Sequence, residues 1–318
     1  MQQADSDVQG VRPASDVAGV DAAAVPDLLG AEAGVGAPLT PVRPRWRALT
    51  ENPTGVVAGI IIGLIALIVI FVPMLPGSPI AMNLASVLQP PGAHHLMGTD
   101  QFGREIFGRV AAGGRVTLTM GVVAVLIAAG VGLPLGLLAG FYEGLLDSSV
   151  MRLMDMMLAF PGLLLALAVV ATLGQGIFKV MIAVGISLIP SYVRLMRGAV
   201  LANKHNVYVE AAQALGASNL RILLRHIVPN SMAPIIVLAT VSIGWAIVIA
   251  ASLNFLGMGV QYPNPEWGSD LNSGRQYLSQ AWWISTFPGA AIMVTILCFN
   301  LIGDALREVL DPRLQVTR

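Results

Sequence analysis

Six apolar runs dominate the pattern along the chain, at Gly55–Pro76, Val116–Phe141, Met154–Leu173, Ile177–Val200, Met232–Gly257 and Trp283–Gly303. A helix needs about 20 predominantly apolar residues to cross a bilayer, so each run predicts one membrane span. Small residues recur inside the runs, which suits close helix packing in lipid. Pro134, Pro161, Pro190 and Pro234 fall within them. Each removes a backbone donor and predicts a kink or a helix end. The expected fold class is an all-α integral membrane protein with six transmembrane helices.

One polar island interrupts this pattern, from Asn206 to Asn230. It predicts two short helices. The first follows Asn206, a favoured N-cap residue, and ends at Gly216, a favoured left-handed C-cap. The second starts after Ser218 and stops near Pro229. In it Leu220, Leu223, Leu224, Ile227 and Val228 fall at i, i+3, i+4, i+7 and i+8, one apolar stripe. Arg221, Arg225 and His226 lie off the stripe. A helical hairpin carrying Glu210 is thus expected between two spans.

The first 42 residues are a different material, rich in Ala, Gly, Val, Asp and Pro without a helical stripe. Six acids there (Asp5, Asp7, Asp16, Asp21, Asp27, Glu32) face only Arg12. No apolar signal-peptide core appears, and a disordered tail is expected. Elsewhere the composition sharpens the membrane reading. The chain is 55% hydrophobic and 11% charged, against about 25% charged in soluble domains. Zero net charge offers no basic surface to a nucleic acid. The single cysteine, Cys298, excludes an internal disulfide and a CxxC metal site.

Charge also orients the spans. With the N-terminus cytoplasmic, 13 of the 18 Lys and Arg fall inside and five outside: Arg104, Arg109, Arg115, Lys179 and Arg275. Both termini and the Glu210 hairpin are then cytoplasmic.

Several motifs carry a family resemblance. Glu210-Ala211-Ala212, then Gly216, Ile227 and Pro229, resemble the EAA loop of ABC-importer permeases. Gly98-Thr99-Asp100, then Gly103-Arg104, resembles a signature of the dipeptide/oligopeptide/nickel permease family, C-type subunit. Asp100 and Arg104 are spaced for an ion pair on a helical turn. The stretch Gly140–Pro161, with Asp147, Arg152 and Asp155, resembles that family's first cytoplasmic loop and third span. Arg152 and Asp155 are spaced i, i+3 and suit a pair. Phe255–Gly268 resembles a Gly/Pro-rich segment in which the chain turns back. Trp267, Trp282 and Trp283 suit a membrane interface. Asp304, Arg307 and Asp311 resemble the family's terminal motif and read as a charged cap on the last span. The approach to the first span, Arg45-Trp46-Arg47 with Asn52-Pro53, fits as well. The resemblance covers residues 45–313.

It implies a type I importer core like that of the MetI-type permeases, with one extra N-terminal helix. The domains expected are a tail (1–42), a first span and extracytoplasmic segment (43–113), a five-helix core (114–305) with the coupling loop at 205–230, and a C-terminal tail (306–318). The implied partners are a homologous B-type permease subunit, two ATPase subunits and an extracytoplasmic substrate-binding protein. The implied location is the bacterial cytoplasmic membrane. The resemblance assigns ATPase coupling to Glu210, Ala211, Ala212, Gly216, Arg221 and Pro229. ATP and Mg belong to the ATPase subunits, and this chain is expected to bind no cofactor or metal. His94-His95 lacks an evident third ligand. No Gly-x-x-x-x-Gly-Lys-Ser/Thr, HExxH or GxSxG sequence occurs, which argues against a nucleotide-hydrolysing or hydrolase site. The rival reading is a stand-alone secondary carrier. Such carriers place ionisable groups near mid-membrane, whereas these runs are nearly free of charge at their centres.

Overall fold

The computed structural model describes residues 52–74 and 79–310. The N-terminal tail, Arg45-Trp46-Arg47, Asp311 and Arg313 lie outside the described residues. Within them the chain is helical, with one isolated antiparallel bridge between Thr99 and Glu105.

Helix α1 (Pro53–Phe71) opens on a sequence-coded cap. The Asn52 side chain accepts from the Gly55 N–H at 3.1 Å, and Pro53 occupies the first turn, where its missing donor costs nothing. Helix α2 (Ile106–Tyr142) is 37 residues long and passes through Pro134. It lies against α5 (Ile177–Lys204) along Gly132, Gly136 and Gly140. A Cβ on each would sit 2.5–2.9 Å from α5 atoms. That four-residue glycine spacing lets the two backbones approach, as small residues do in lipid. Met120, Tyr192, Val193, Ile249 and Leu253 fill the core between α2, α5 and α8 (Val228–Phe255). The last helix, α10, spans Trp283–Leu310. Its far end is tied to the start of α1 by Asn52 Nδ2, which donates to Glu308 at 2.8 Å.

Five helical stretches are long and apolar enough to cross a membrane. The third predicted span is not among them as a straight helix. It is a pair, α3 (Gly144–Leu158) and α4 (Gly162–Leu173), bent by 93°. Pro161 supplies no N–H to continue α3, and its extended backbone starts α4 afresh. The 12 residues of α4 extend about 18 Å, short of a bilayer core of about 30 Å. A sixth crossing would have to be made by the bent pair as a whole.

The hairpin also departs from its expected form. Helix α6 (Val207–Ala214) is followed by α7 (Asn219–Ile222), a π turn (Leu223–Ile227) and then α8 without interruption. Pro229 sits inside this continuous helix and does not end it. The π turn widens the helix by one residue where the proline cannot donate. The Asn230 side chain caps the His226 carbonyl at 2.6 Å.

Candidate functional site

Two polar regions occupy opposite ends of α2 and α5. At one end the hairpin projects from the bundle. Gly216 adopts φ +77°, and its N–H and that of Ala217 reach back to Gln213 and Ala212 at 2.9 and 3.0 Å. This is a Schellman closure, which a glycine makes at least strain. Asn206 stands at the N-cap, but its side chain turns to Asn203 rather than capping α6.

The apolar stripe is rotated from the sequence expectation. Val209, Ile222, Leu223 and Ile227 are buried against Met196, Val200 and Ile235 of α5 and α8. Leu220 and Leu224 instead face outward, 65% and 58% exposed, with Val207 and Leu215 at 80% and 89%. Leu220 and Leu224 share the outward face, while Ile222 and Leu223 share the buried one. Glu210, Ala211, Gly216, Arg221 and Pro229 are exposed and Ala212 is half-buried. Glu210 and Arg221 form no ion pair among the described residues. The hairpin thus presents apolar side chains and unpaired charges to its surroundings while staying pinned to the bundle.

Beside it, α3 is laced to α5 by an antiparallel ladder of ion pairs. Glu143 meets Lys204, Asp147 takes Arg197 in a two-pronged contact at 2.5 and 2.6 Å, and Asp155 takes Arg194 at 2.5 Å. The expected pair between Arg152 and Asp155 does not form. Both lie on one short helix, and α5 offers Asp155 a closer guanidinium. Asp304 and Arg307 are exposed on α10 and form no ion pair among the described residues. The α10 tie to α1 runs through Glu308 instead.

At the other end the Gly98–Arg104 motif folds as a tight loop, not a helical turn. The Asp100 carboxylate accepts from the Phe102 and Arg104 N–H groups at 2.8 and 3.0 Å and from Arg104 Nε at 2.6 Å. The pair is buried on both sides. The Arg104 guanidinium sits against the Phe102 and Tyr262 rings, 4.8 and 5.0 Å from their centroids. Gly98 and Gly103 both have positive φ, and Thr99 pairs with Gln89 through its backbone and hydroxyl. His95 contacts Glu105. No group of three metal-ligating side chains occurs among the described residues.

Above this loop the chain returns as helix α9 (Trp267–Gly274). Sequence reasoning missed the network that seats it. Buried Arg109 pairs with Asp270 and donates to the Pro263 and Pro79 carbonyls at 3.2 and 3.3 Å. The Glu266 carboxylate accepts from Thr117 at 3.0 Å and from the Ser269 N–H at 2.8 Å. Burial pushes Glu266 up to about 7, against the pull of those hydrogen bonds. The available signal was an arginine three residues inside an apolar helix, but its partner lies 161 residues away. Trp267 and Trp283, expected at the interface, are buried. They donate to the Val110 and Thr99 carbonyls at 2.7 and 3.1 Å, so they lock loops. Trp282 alone of the three is exposed.

Comparison with known proteins shows the family and the fold. Residues 132–316 match the family described as binding-protein-dependent transport system inner membrane component. Residues 40–91 match the N-terminal TM domain of oligopeptide transport permease C. The dipeptide transport system permease protein of Alkalihalophilus pseudofirmus is 45% identical over 87% of this chain and 91% of its own. A probable D,D-dipeptide transport system permease protein of Escherichia coli K12 is 44% identical over 83% and 89%. A glutathione transport system permease protein of Pectobacterium atrosepticum is 42% identical over 87% and 92%. A chain of the inward-facing MetNI methionine ABC transporter shares the fold, with TM-score 0.52 and 17% identity over 64% of this chain and 96% of that one. The chain therefore belongs to the binding-protein-dependent transport system inner membrane component family, as a multi-pass C-type permease subunit of an ABC importer and not as an enzyme.

Proposed function

We propose that this subunit forms half of a pore for di- or oligopeptides or related small cargo, and that residues 205–230 couple it to an ATPase. The observation that carries this reading is the hairpin. Its buried face fixes it to α5 and α8, while Leu215, Leu220, Leu224 and Glu210 stand free at the end of the spans. Apolar side chains projecting beyond a membrane bundle suit a protein groove, and an unpaired carboxylate suits a basic partner. The relatives' names support the cargo class. The proposed complex adds a B-type permease, two ATPase subunits holding ATP and Mg, and an extracytoplasmic binding protein. The distribution of Lys and Arg supports a cytoplasmic hairpin and termini in the bacterial cytoplasmic membrane. ATP binding closes the ATPases and pushes the two coupling hairpins together, which favours the outward-facing pore; hydrolysis restores the inward one.

The test is uptake and ATPase co-purification in the reconstituted complex, with membrane levels as control. Glu210→Ala removes one side of a charge contact, worth about 2–5 kcal/mol where it is desolvated. Gly216→Asp places a side chain at positive φ, about 1–2 kcal/mol, and distorts the hairpin. Both variants are expected to insert normally yet transport poorly, Gly216→Asp binding the ATPases more weakly. Wild-type uptake in both would refute the coupling role.

A further inference from the structure

Three buried polar atoms at the α9 end form no hydrogen bond with any described residue: Gln101 Oε1, Arg104 Nη1 and Asp270 Oδ2. Their residues line one small cavity, which Arg109, Ser273 and Ile284 also line. Buried polar atoms without partners are rare in folded proteins, and several around one cavity mark a ligand. The cavity gives the centre of a water-sized molecule about 10 Å³, the space of one water. Charge narrows the chemistry further. Asp100 and Asp270 are opposed by Arg104 and Arg109, so the four charges cancel and favour neither a cation nor an anion.

We propose that this cavity is the site of one internal water molecule that joins the Gly98–Arg104 loop to helix α9. The water accepts from Arg104 Nη1 and donates to Asp270 Oδ2 and Gln101 Oε1. Each orphan atom then has its partner, and the water makes the three hydrogen bonds usual for a buried site. The Arg104 guanidinium is already held by Asp100 and two aromatic rings, so its free donor needs little further ordering to meet a water. Arg109 fixes the other oxygen of Asp270. The water thus completes the network linking the signature loop to the returning chain.

A structure of the intact transporter in lipid nanodiscs, at a resolution that shows ordered solvent, tests the site. The expected result is one solvent peak about 2.7–3.2 Å from all three atoms. A cavity without density, a side chain occupying it, or a peak with the short distances and higher coordination of a metal ion would overturn the proposal. Gln101→Met keeps the size of the side chain and removes one acceptor. It is expected to displace or weaken the peak and to lower the melting temperature of the complex. An undisturbed peak with unchanged melting would sink the three-point site. Should the variant not assemble, the wild-type density decides alone.

Discussion

The two ends of the helical bundle use charge in opposite ways. At the α9 end Asp100, Arg104, Arg109, Glu266 and Asp270 are all buried, and each is paired or hydrogen-bonded within the chain. At the hairpin end Glu210 and Arg221 are exposed and form no ion pair among the described residues, and Asp155 and Arg194 pair in the open. Buried ions are tolerated only when their partners are in place, so the first set fixes backbone shape. Exposed ions cost little when alone and remain available to another subunit. This division suits the proposed role, in which the α9 end keeps its shape and the hairpin meets an ATPase subunit.

The comparison breaks most sharply at Arg109. Arg109→Met leaves Asp270 buried without its cation, a loss of about 3–5 kcal/mol. The expected outcome is a strongly lowered melting temperature or loss of the subunit from the membrane. Arg221→Ala at the hairpin should shift stability within about 0.5 kcal/mol. Equal melting of the two variants would show that the α9 network does not stabilise the fold.

Glycine substitutions sharpen the same contrast. A Cβ on Gly103 would sit 1.8 Å from the Asn83 carbonyl oxygen, whereas one on Gly216 meets nothing within 4 Å. Both positions have positive φ, so each alanine variant carries about 1–2 kcal/mol of backbone strain. Gly103→Ala must also move the neighbouring backbone, so it should melt lower than Gly216→Ala in a thermal scan.

Glu266 predicts a pH dependence confined to the α9 end. Its folded value is about 7 against an ordinary 4.5. The fold binds this proton more tightly than the unfolded chain does, so stability falls as pH rises from about 4.5 to 7. The full span is on the order of 3 kcal/mol. Glu266→Gln resembles the protonated side chain and should flatten the slope of melting temperature against pH. A slope as steep as wild type would assign it to other groups.

The smallest effect belongs to the ladder between α3 and α5. Arg194 and Asp155 are 48% and 60% exposed, so Arg194→Ala should cost under about 1 kcal/mol. Arg197 grips a more buried Asp147 with two hydrogen bonds. Its alanine variant should lower the melting temperature more, and the reverse order would contradict the burial argument.

Much of this protein was legible in its sequence because the signals are local. Apolar runs of membrane length located the spans, since lipid offers backbone groups no other partner. Asn52-Pro53 marked the approach to the first span by its resemblance, and Gly216 coded the closure of α6. The Asp100–Arg104 pair was readable from its spacing, although a loop makes it and not a helix. Only the tertiary structure decided how elements meet across the chain. It let the hairpin run through Pro229 into α8 and turned the stripe so that Ile222 is buried and Leu220 exposed, whereas the break at Pro161 was already legible in the proline. It also took Asp155 from Arg152 to Arg194, drew Trp267 and Trp283 into the interior and joined Arg109 to Asp270. Each outcome depends on which side chain lies nearest after packing. Spacing along one helix fixes the angle at which a residue points, but its partner is set by helices that arrive from distant parts of the chain.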